Sequence, residues 1–214
     1  MAKRNTRDEI QLEALRLFSE RGYEGVGIRD IAKCVNIRES AIYRHFKNKQ
    51  DVFNSLILRM NDYYYEMLDL IQLPGCDVME AAIDYENSDG EMIANRMKAI
   101  FLFWLQDEFA APFRRMLTIE QFKNTEVGDA FQNMFFNSVF AYMEVLFNKM
   151  MKDGYIIQAD AKLMSVQFYS PIFLMLNQYD KQQDKVEEAI AIIEKHVKWF
   201  CKIYFINKEN CSNE

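Results

Sequence analysis

The chain has 214 residues, a mass of 25.4 kDa and a formal net charge of −6. Half of its residues are hydrophobic and 27% are charged, which excludes bulk disorder and allows a core that needs no disulfide or metal. With only 7 Gly and 3 Pro, the chain lacks the turn residues that a sandwich or barrel demands, so an all-α fold is expected.

The first expected helix opens at a capping box, Thr6-Arg7-Asp8-Glu9, and carries Ile10, Ala14, Leu17 and Phe18 at helical spacing before Gly22 stops it. Residues 27–35 form a second, short helix and Asn36-Ile37-Arg38 a turn, with Asn36 suited to the left-handed conformation. Glu39 to His45 makes a third helix. Asn48 then caps a long helix whose apolar stripe runs through Phe53, Leu56, Ile57, Met60, Tyr64, Met67, Leu68 and Ile71 to Pro74-Gly75. Further helices are expected near 77–86, 91–110, 112–123, 127–153, 160–179 and 184–206, with Pro171 kinking its own.

The charge is unevenly spread. Residues 1–50 carry 11 Lys and Arg against 7 Asp and Glu, whereas the remainder carries 15 against 25. A basic head on an acidic body is the asymmetry expected when one end approaches a polyanion. Uncharged apolar runs such as Phe168–Gln178 fall short of the ~18 residues that span a bilayer, so no membrane partner is expected. Residues 1–9 lack the apolar stretch of a signal peptide. The four cysteines, at 34, 76, 201 and 211, lie far apart beside only two histidines. That arrangement points to reduced thiols, a cytoplasmic location, and neither metal nor cofactor.

Two short helices joined by a three-residue turn make a helix-turn-helix pattern, in which Ile31, Val35, Ile37 and Ile42 supply the apolar contacts and Ala32 stays small beneath the crossing. Leu17-Phe18, Gly22-Tyr23, Ile31-Ala32 and the run Ala41-Ile42-Tyr43-Arg44-His45-Phe46-Lys47-Asn48-Lys49 resemble the N-terminal signature of the TetR family of bacterial transcription regulators. A weaker resemblance runs through residues 113–122 and 168–173. The resemblance implies an N-terminal DNA-binding head of three helices, here residues 1–50, joined by a long helix to a larger helical-bundle body for ligand binding and dimerisation, residues 51–214. It further implies a homodimer on a palindromic double-stranded DNA operator, mostly a repressor, released by a small-molecule effector.

Carried over by position, Tyr43, His45 and Lys49 match phosphate contacts, and Arg38, Glu39, Ser40, Ala41 and Arg44 match the base- and backbone-facing part of the recognition helix. Lys3 and Arg4 form a short basic arm able to neutralise further phosphates. The sequence departs from the family pattern at Gly27, where a hydroxyl residue is usual, at Asn36-Ile37-Arg38, and at Ser40. Phe46 reads as core of the head.

In the body, 14 of the 17 Phe lie beyond residue 59, a composition that suits either an apolar core or an adaptable apolar cavity. Polar groups inside apolar stretches are the pointers to a ligand: Arg96 and Trp104 on one helix, Ser138 and Tyr142 beside Phe135 on another, and Tyr169, Phe173 and Asn177 around Pro171. Arg96 would suit a carboxylate, whereas Trp104 near Glu108 would suit a lipophilic cation. The last helix repeats Val186, Ala189/Ile190, Ile193, Val197, Phe200/Cys201 and Tyr204, and this stripe is expected to face a second subunit. No Ser/His/Asp set, metal-ligand cluster or Gly-rich phosphate loop is present, so no enzyme is expected. The competing expectation is a helical carrier of hydrophobic small molecules, or an adaptor, without a DNA-binding role.

Overall fold

The computed structural model describes residues 5–71 and 78–206. In chain order its helices are α1 (Thr6–Arg21), α2 (Ile28–Val35), α3 (Glu39–Ile42), α4 (Lys49–Leu70), α5 (Val78–Asn87), α6 (Gly90–Gln106), α7 (Ala110–Glu120), α8 (Thr125–Gln132), α9 (Ser138–Lys152), α10 (Ala161–Gln178) and α11 (Val186–Tyr204). A π-turn, Asn133–Asn137, separates α8 from α9. The all-α expectation holds: among the described residues the extended pairing is one isolated antiparallel bridge, Ile156 to Phe205. No described helix is long and apolar enough to cross a membrane.

Packing divides the chain into two interleaved units, one of residues up to Glu66 with Gln106–Met134, the other of Met67–Leu105 with the residues from Phe135 onward. The chain passes from one unit to the other at residues 66/67, 105/106 and 134/135.

In the first unit, α1 packs on α2 and α7, and α7 on α8. Its core holds Ile10, Leu17, Phe18, Ile31, Ile42, Phe46, Phe53, Leu56, Phe113 and Leu117, all at most 2% exposed. Tyr23 is wedged between the Phe18 and Phe53 rings at 5.3 and 5.4 Å. The cap of α1 lies one residue earlier than expected: Asn5, not Thr6, accepts the Asp8 N–H at 3.4 Å. Gly22 closes α1 as expected. At φ 77°, ψ 162° it occupies a region essentially reserved for glycine, and its N–H donates to the Phe18 carbonyl. The Glu120 carboxylate fills the space a Gly22 side chain would need, with Oε1 2.0 Å from the position of a Cβ. Glu120 is 1% exposed, and its Oε2 has no hydrogen-bond partner.

A buried polar chain ties α1 to α4. Gln11 donates to Ser55 Oγ at 2.9 Å, and Arg59 donates to Gln11 Oε1 at 3.2 Å. The Arg59 guanidinium also lies over the Phe109 ring at 4.8 Å. One turn further along α4, Tyr63 donates to Asp107 Oδ2 at 2.7 Å, while Asp107 Oδ1 accepts the Phe109 and Ala110 N–H groups that open α7. This bond to an anionic acceptor, with burial, pushes the Tyr63 phenol up to about 12.

In the second unit, α9 packs against α5 and α10, and α10 against α11. The stripe expected at a subunit boundary is instead the inward face of α11. Val186, Ala189, Ile190, Ile193, Val197, Phe200 and Cys201 are all buried within the protomer, with Phe200 against Phe168 and Phe147 at 4.9 and 5.7 Å. Periodicity identifies a buried stripe but not what buries it, and here α9 and α10 contribute to the cover. The opposite faces are the exposed ones: Ile192, Trp199 and Ile203 on α11, and Leu163, Val166 and Leu174 on α10. His196 is a packed residue, its Nε2 2.9 Å from the Phe168 carbonyl oxygen. Pro171 lies inside α10 and denies the Gln167 carbonyl its usual donor four residues on.

Candidate nucleic-acid interface

The helix-turn-helix is built as the sequence pattern requires. Gly27 leads into α2 in an extended conformation, and its N–H donates to Asp30 Oδ2 at 2.8 Å, so the reciprocal half of a capping box survives without a hydroxyl. Asn36 ends α2 at φ 58°, ψ 47°, the left-handed conformation, and Ile37 N–H returns to the Ala32 carbonyl at 2.9 Å. The third helix is shorter than expected. It is α-helical only over Glu39–Ile42, after which Arg44 and His45 donate three residues back, to Ala41 and Ile42. That tightening turns Tyr43–His45 into a turn while Ile42 and Phe46 remain anchored in the core.

This anchoring sorts the expected contact residues. Arg38, Ser40, Tyr43 and Arg44 are exposed, and Ala41 and His45 are half-buried. Tyr43, at 54% exposure, does not pack in the head, whereas Phe46, at 2%, does. Lys49 is engaged within the head: its Nζ donates to the Tyr23 carbonyl at 2.9 Å, lies 4.1 Å from the Tyr23 ring centroid and 3.8 Å from Glu24. Burial, followed by the charges of Glu24 and Glu126, pushes the Tyr23 phenol up to about 12. Glu39 holds Arg29 across the α2–α3 corner at 2.6 Å. Lys3 and Arg4 lie outside the described residues. Sequence reasoning missed Arg29, Lys33 and Lys47, exposed cations on the same helices and turn. It also missed Arg7, whose guanidinium sits 4.7 Å over the Phe46 ring and donates to the His45 carbonyl.

The body candidates separate into three groups. Trp104 and Phe135 are buried with ring centroids 4.8 Å apart. They continue through Phe173, half-buried at 6.1 Å from Phe135, to Tyr169 at 5.9 Å from Phe173. Phe136 at 4.8 Å from Phe173, and Phe140 at 5.7 Å from Tyr169, complete this aromatic group. Arg96 is paired inside the unit, its guanidinium forked onto the two Asp84 carboxylate oxygens and Nη1 3.2 Å from Ser88 Oγ. Tyr142 is half-buried. Ser138 and Asn177 are exposed, and Asn177 bonds back to the Phe173 carbonyl at 2.8 Å. Among the described residues no group of three or more His, Cys, Asp or Glu is arranged to hold a metal ion.

Residues 12–56 match the family described as bacterial regulatory proteins of the tetR family. That match covers 45 of the 214 residues and makes the head similar to that of TetR-family regulators. The IcaR protein of Staphylococcus epidermidis, a negative transcriptional regulator of the biofilm operon icaADBC, is 36% identical over 62 residues, which are 29% of this chain and 34% of IcaR. The likeness to that relative thus spans about a third of its length. Over the whole fold, two solved structures superpose. SmeT, the Stenotrophomonas maltophilia repressor of a multidrug efflux pump, in complex with triclosan, covers 96% of this chain and 94% of its own at 18% identity and a TM-score of 0.68. FadR from Bacillus subtilis in complex with stearoyl-CoA covers 90% and 96% at 16% identity and a TM-score of 0.61. At these identities the likeness establishes the fold.

Proposed function

We propose that the protein is a transcriptional repressor that binds a palindromic operator as a homodimer through its N-terminal head and is released by a small, largely apolar effector. The observation that carries the reading is the segregation of the recognition segment, in which Ile42 and Phe46 anchor the core while Arg38, Ser40, Tyr43 and Arg44 face outward together. Such a row offers the donors that read base edges and the cations that neutralise phosphates. Two-fold symmetry is supported by the exposed apolar faces of α10 and α11, which suit a self-complementary four-helix contact. The aromatic group of Trp104, Phe135, Tyr169 and Phe173 supports an apolar effector; triclosan and stearoyl-CoA, bound by the two similar regulators, carry large apolar parts. With Arg96 committed to Asp84, a carboxylate-bearing effector has no free partner there.

Selection from random duplex DNA by the wild type, beside a Tyr43→Ala/Arg44→Ala double variant, tests the proposal. Enrichment of an inverted repeat by the wild type alone is the expected result. No enrichment, or equal enrichment by both, refutes the assignment and turns the balance to a carrier or adaptor.

A further inference from the structure

We propose that the π-turn Asn133–Asn137 is the switch on which the effector acts, and that the effector carries an aromatic ring. The inference rests on the repressor reading above and names the chemical class of the effector and the element that it moves. Residues 125–152 run as one helical stretch interrupted by this π-turn, which absorbs one residue more than an α-turn does. The extra residue resets by about 100° the phase between the buried face of α8 (Val127 and Phe131) and that of α9 (Met143, Leu146, Phe147, Met150 and Met151). α8 belongs to the first unit and α9 to the second. With α9 held, the phase set in the turn decides which face α8 offers to α7.

The same turn carries part of the aromatic group. Neighbouring residues on an α-helix point about 100° apart and do not face one partner. Here the rings of the consecutive Phe135 and Phe136 both lie against Phe173, at 6.1 and 4.8 Å. Relaxing the turn to a regular helix costs one of these two ring contacts, which holds the turn in place when no other ring competes. A ligand ring that packs on Phe173 instead of Phe135 or Phe136 supplies the lost contact and lifts that restraint. A saturated ligand of equal size does not reproduce the edge-to-face geometry of the group, in which Phe136 meets Phe173 at 65° and Trp104 meets Phe135 at 67°.

Five buried residues hold α9 and two hold α8, so relaxation of the turn rotates α8. It cannot rotate in its seat. A Cβ at Gly128 would lie 2.5 Å from the Gln121 carbonyl oxygen, and rotation brings Val127 or Asp129 to that spot. α8 therefore has one seat on the turn that follows α7 and otherwise leaves it, which makes the movement two-state. α8 reaches the head through Glu126, whose charge acts on Tyr23, the residue whose carbonyl and ring hold Lys49 at the start of α4. Loss of the seat thus changes the surroundings of the residues that follow the recognition segment.

The test uses the duplex selected by the wild type and two probes, 2-naphthol and its saturated counterpart decahydro-2-naphthol. Saturating 2-naphthol is expected to weaken duplex binding by the wild type about tenfold or more and to change amide hydrogen exchange across residues 133–142, whereas the saturated probe does neither. Deleting Asn137 removes the extra residue and leaves a continuous α-helix that preserves the phase between α8 and α9. That variant should bind the duplex within about threefold of the wild type, still bind 2-naphthol, and lose less than about twofold in duplex affinity to it. Phe136→Ala, which removes one of the two ring contacts, should weaken duplex binding several-fold with no probe present, and the deletion should restore it. Release of the deletion variant as complete as that of the wild type overturns the inference. So does an unchanged duplex affinity in Phe136→Ala, which decides the matter if the deletion does not fold. Equal release by both probes, or no binding of 2-naphthol, overturns the aromatic class. A wild type that enriches no duplex overturns the DNA-binding reading and this inference with it; one that enriches an inverted repeat but shows the other contrary results overturns this inference alone.

Discussion

Replacing Gly22 by alanine strikes the first unit at two points that can be measured separately. The φ of 77° with ψ of 162° is strained for any L residue, at a cost of about 1–3 kcal/mol. The new Cβ would also sit 2.0 Å from Glu120 Oε1. Glu120 is 1% exposed, so its carboxylate cannot swing aside into solvent without disturbing the α1–α7 contact, and overpacking of this kind costs a further ~1–3 kcal/mol. Gly22→Ala should therefore destabilise the protein by about 2–6 kcal/mol and lower Tm by roughly 4–20 °C for a chain of this size. A double-mutant cycle with Glu120→Ala, followed by far-UV circular dichroism in urea, separates the terms. In the Glu120→Ala background the substitution should cost only the backbone part, leaving a coupling of about 1–3 kcal/mol. A cost below about 0.5 kcal/mol, or the same cost in both backgrounds, would refute the reasoning.

Other expectations follow from the same packing. Trp199→Asp/Ile203→Asp, at positions 60% and 46% exposed, should leave the helical content intact and move the sedimenting species from about twice the chain mass to 25.4 kDa; a wild type that already sediments as a monomer contradicts the dimer. The Tyr63 phenol, raised to about 12 from 10.0, favours the folded state below pH 10, and that contribution is lost as pH rises toward 12. Urea midpoints measured between pH 9 and 12 should fall less steeply for Tyr63→Phe than for the wild type. Cys34 is exposed and Cys201 is buried, with burial pushing the Cys201 thiol up to about 11. Iodoacetamide at pH 8 should label Cys34 well before Cys201 by peptide mass spectrometry, and equal labelling would show that the α11 face opens readily.

Local chemistry made the head legible in the sequence. Gly22 as a stop, Asn36 in the left-handed region and Asn48 bonding to the Asp51 N–H at 2.8 Å are decided within a few residues of chain. The same locality explains the small errors. Asn5 and Thr6 both offer a capping oxygen, and the turn after Ile42 tightens because Phe46 is drawn into the core. What the sequence withheld depends on partners distant in the chain. Nothing near Arg96 in the sequence announces its pairing with Asp84, and nothing near Lys49 announces its contacts with Tyr23. The α11 stripe is periodic whichever partner covers it, and only the placement of α9 and α10 shows that its own chain does. Tyr63 with Asp107, and Glu120 beneath Gly22, join residues 44 and 98 positions apart; no periodicity announces either pair.

The most direct test of the account is the salt dependence of binding to the selected duplex. Arg38, Arg44 and Lys47 are exposed in the head, and two heads bearing them should give a log–log slope of roughly −4 to −6, at about −0.9 for each neutralised phosphate. Tyr43→Ala/Arg44→Ala should give a shallower slope and lose the distinction between the selected duplex and a scrambled one. A wild-type slope near zero, or a variant that matches the wild type on both duplexes, would contradict the claim that this head reads DNA.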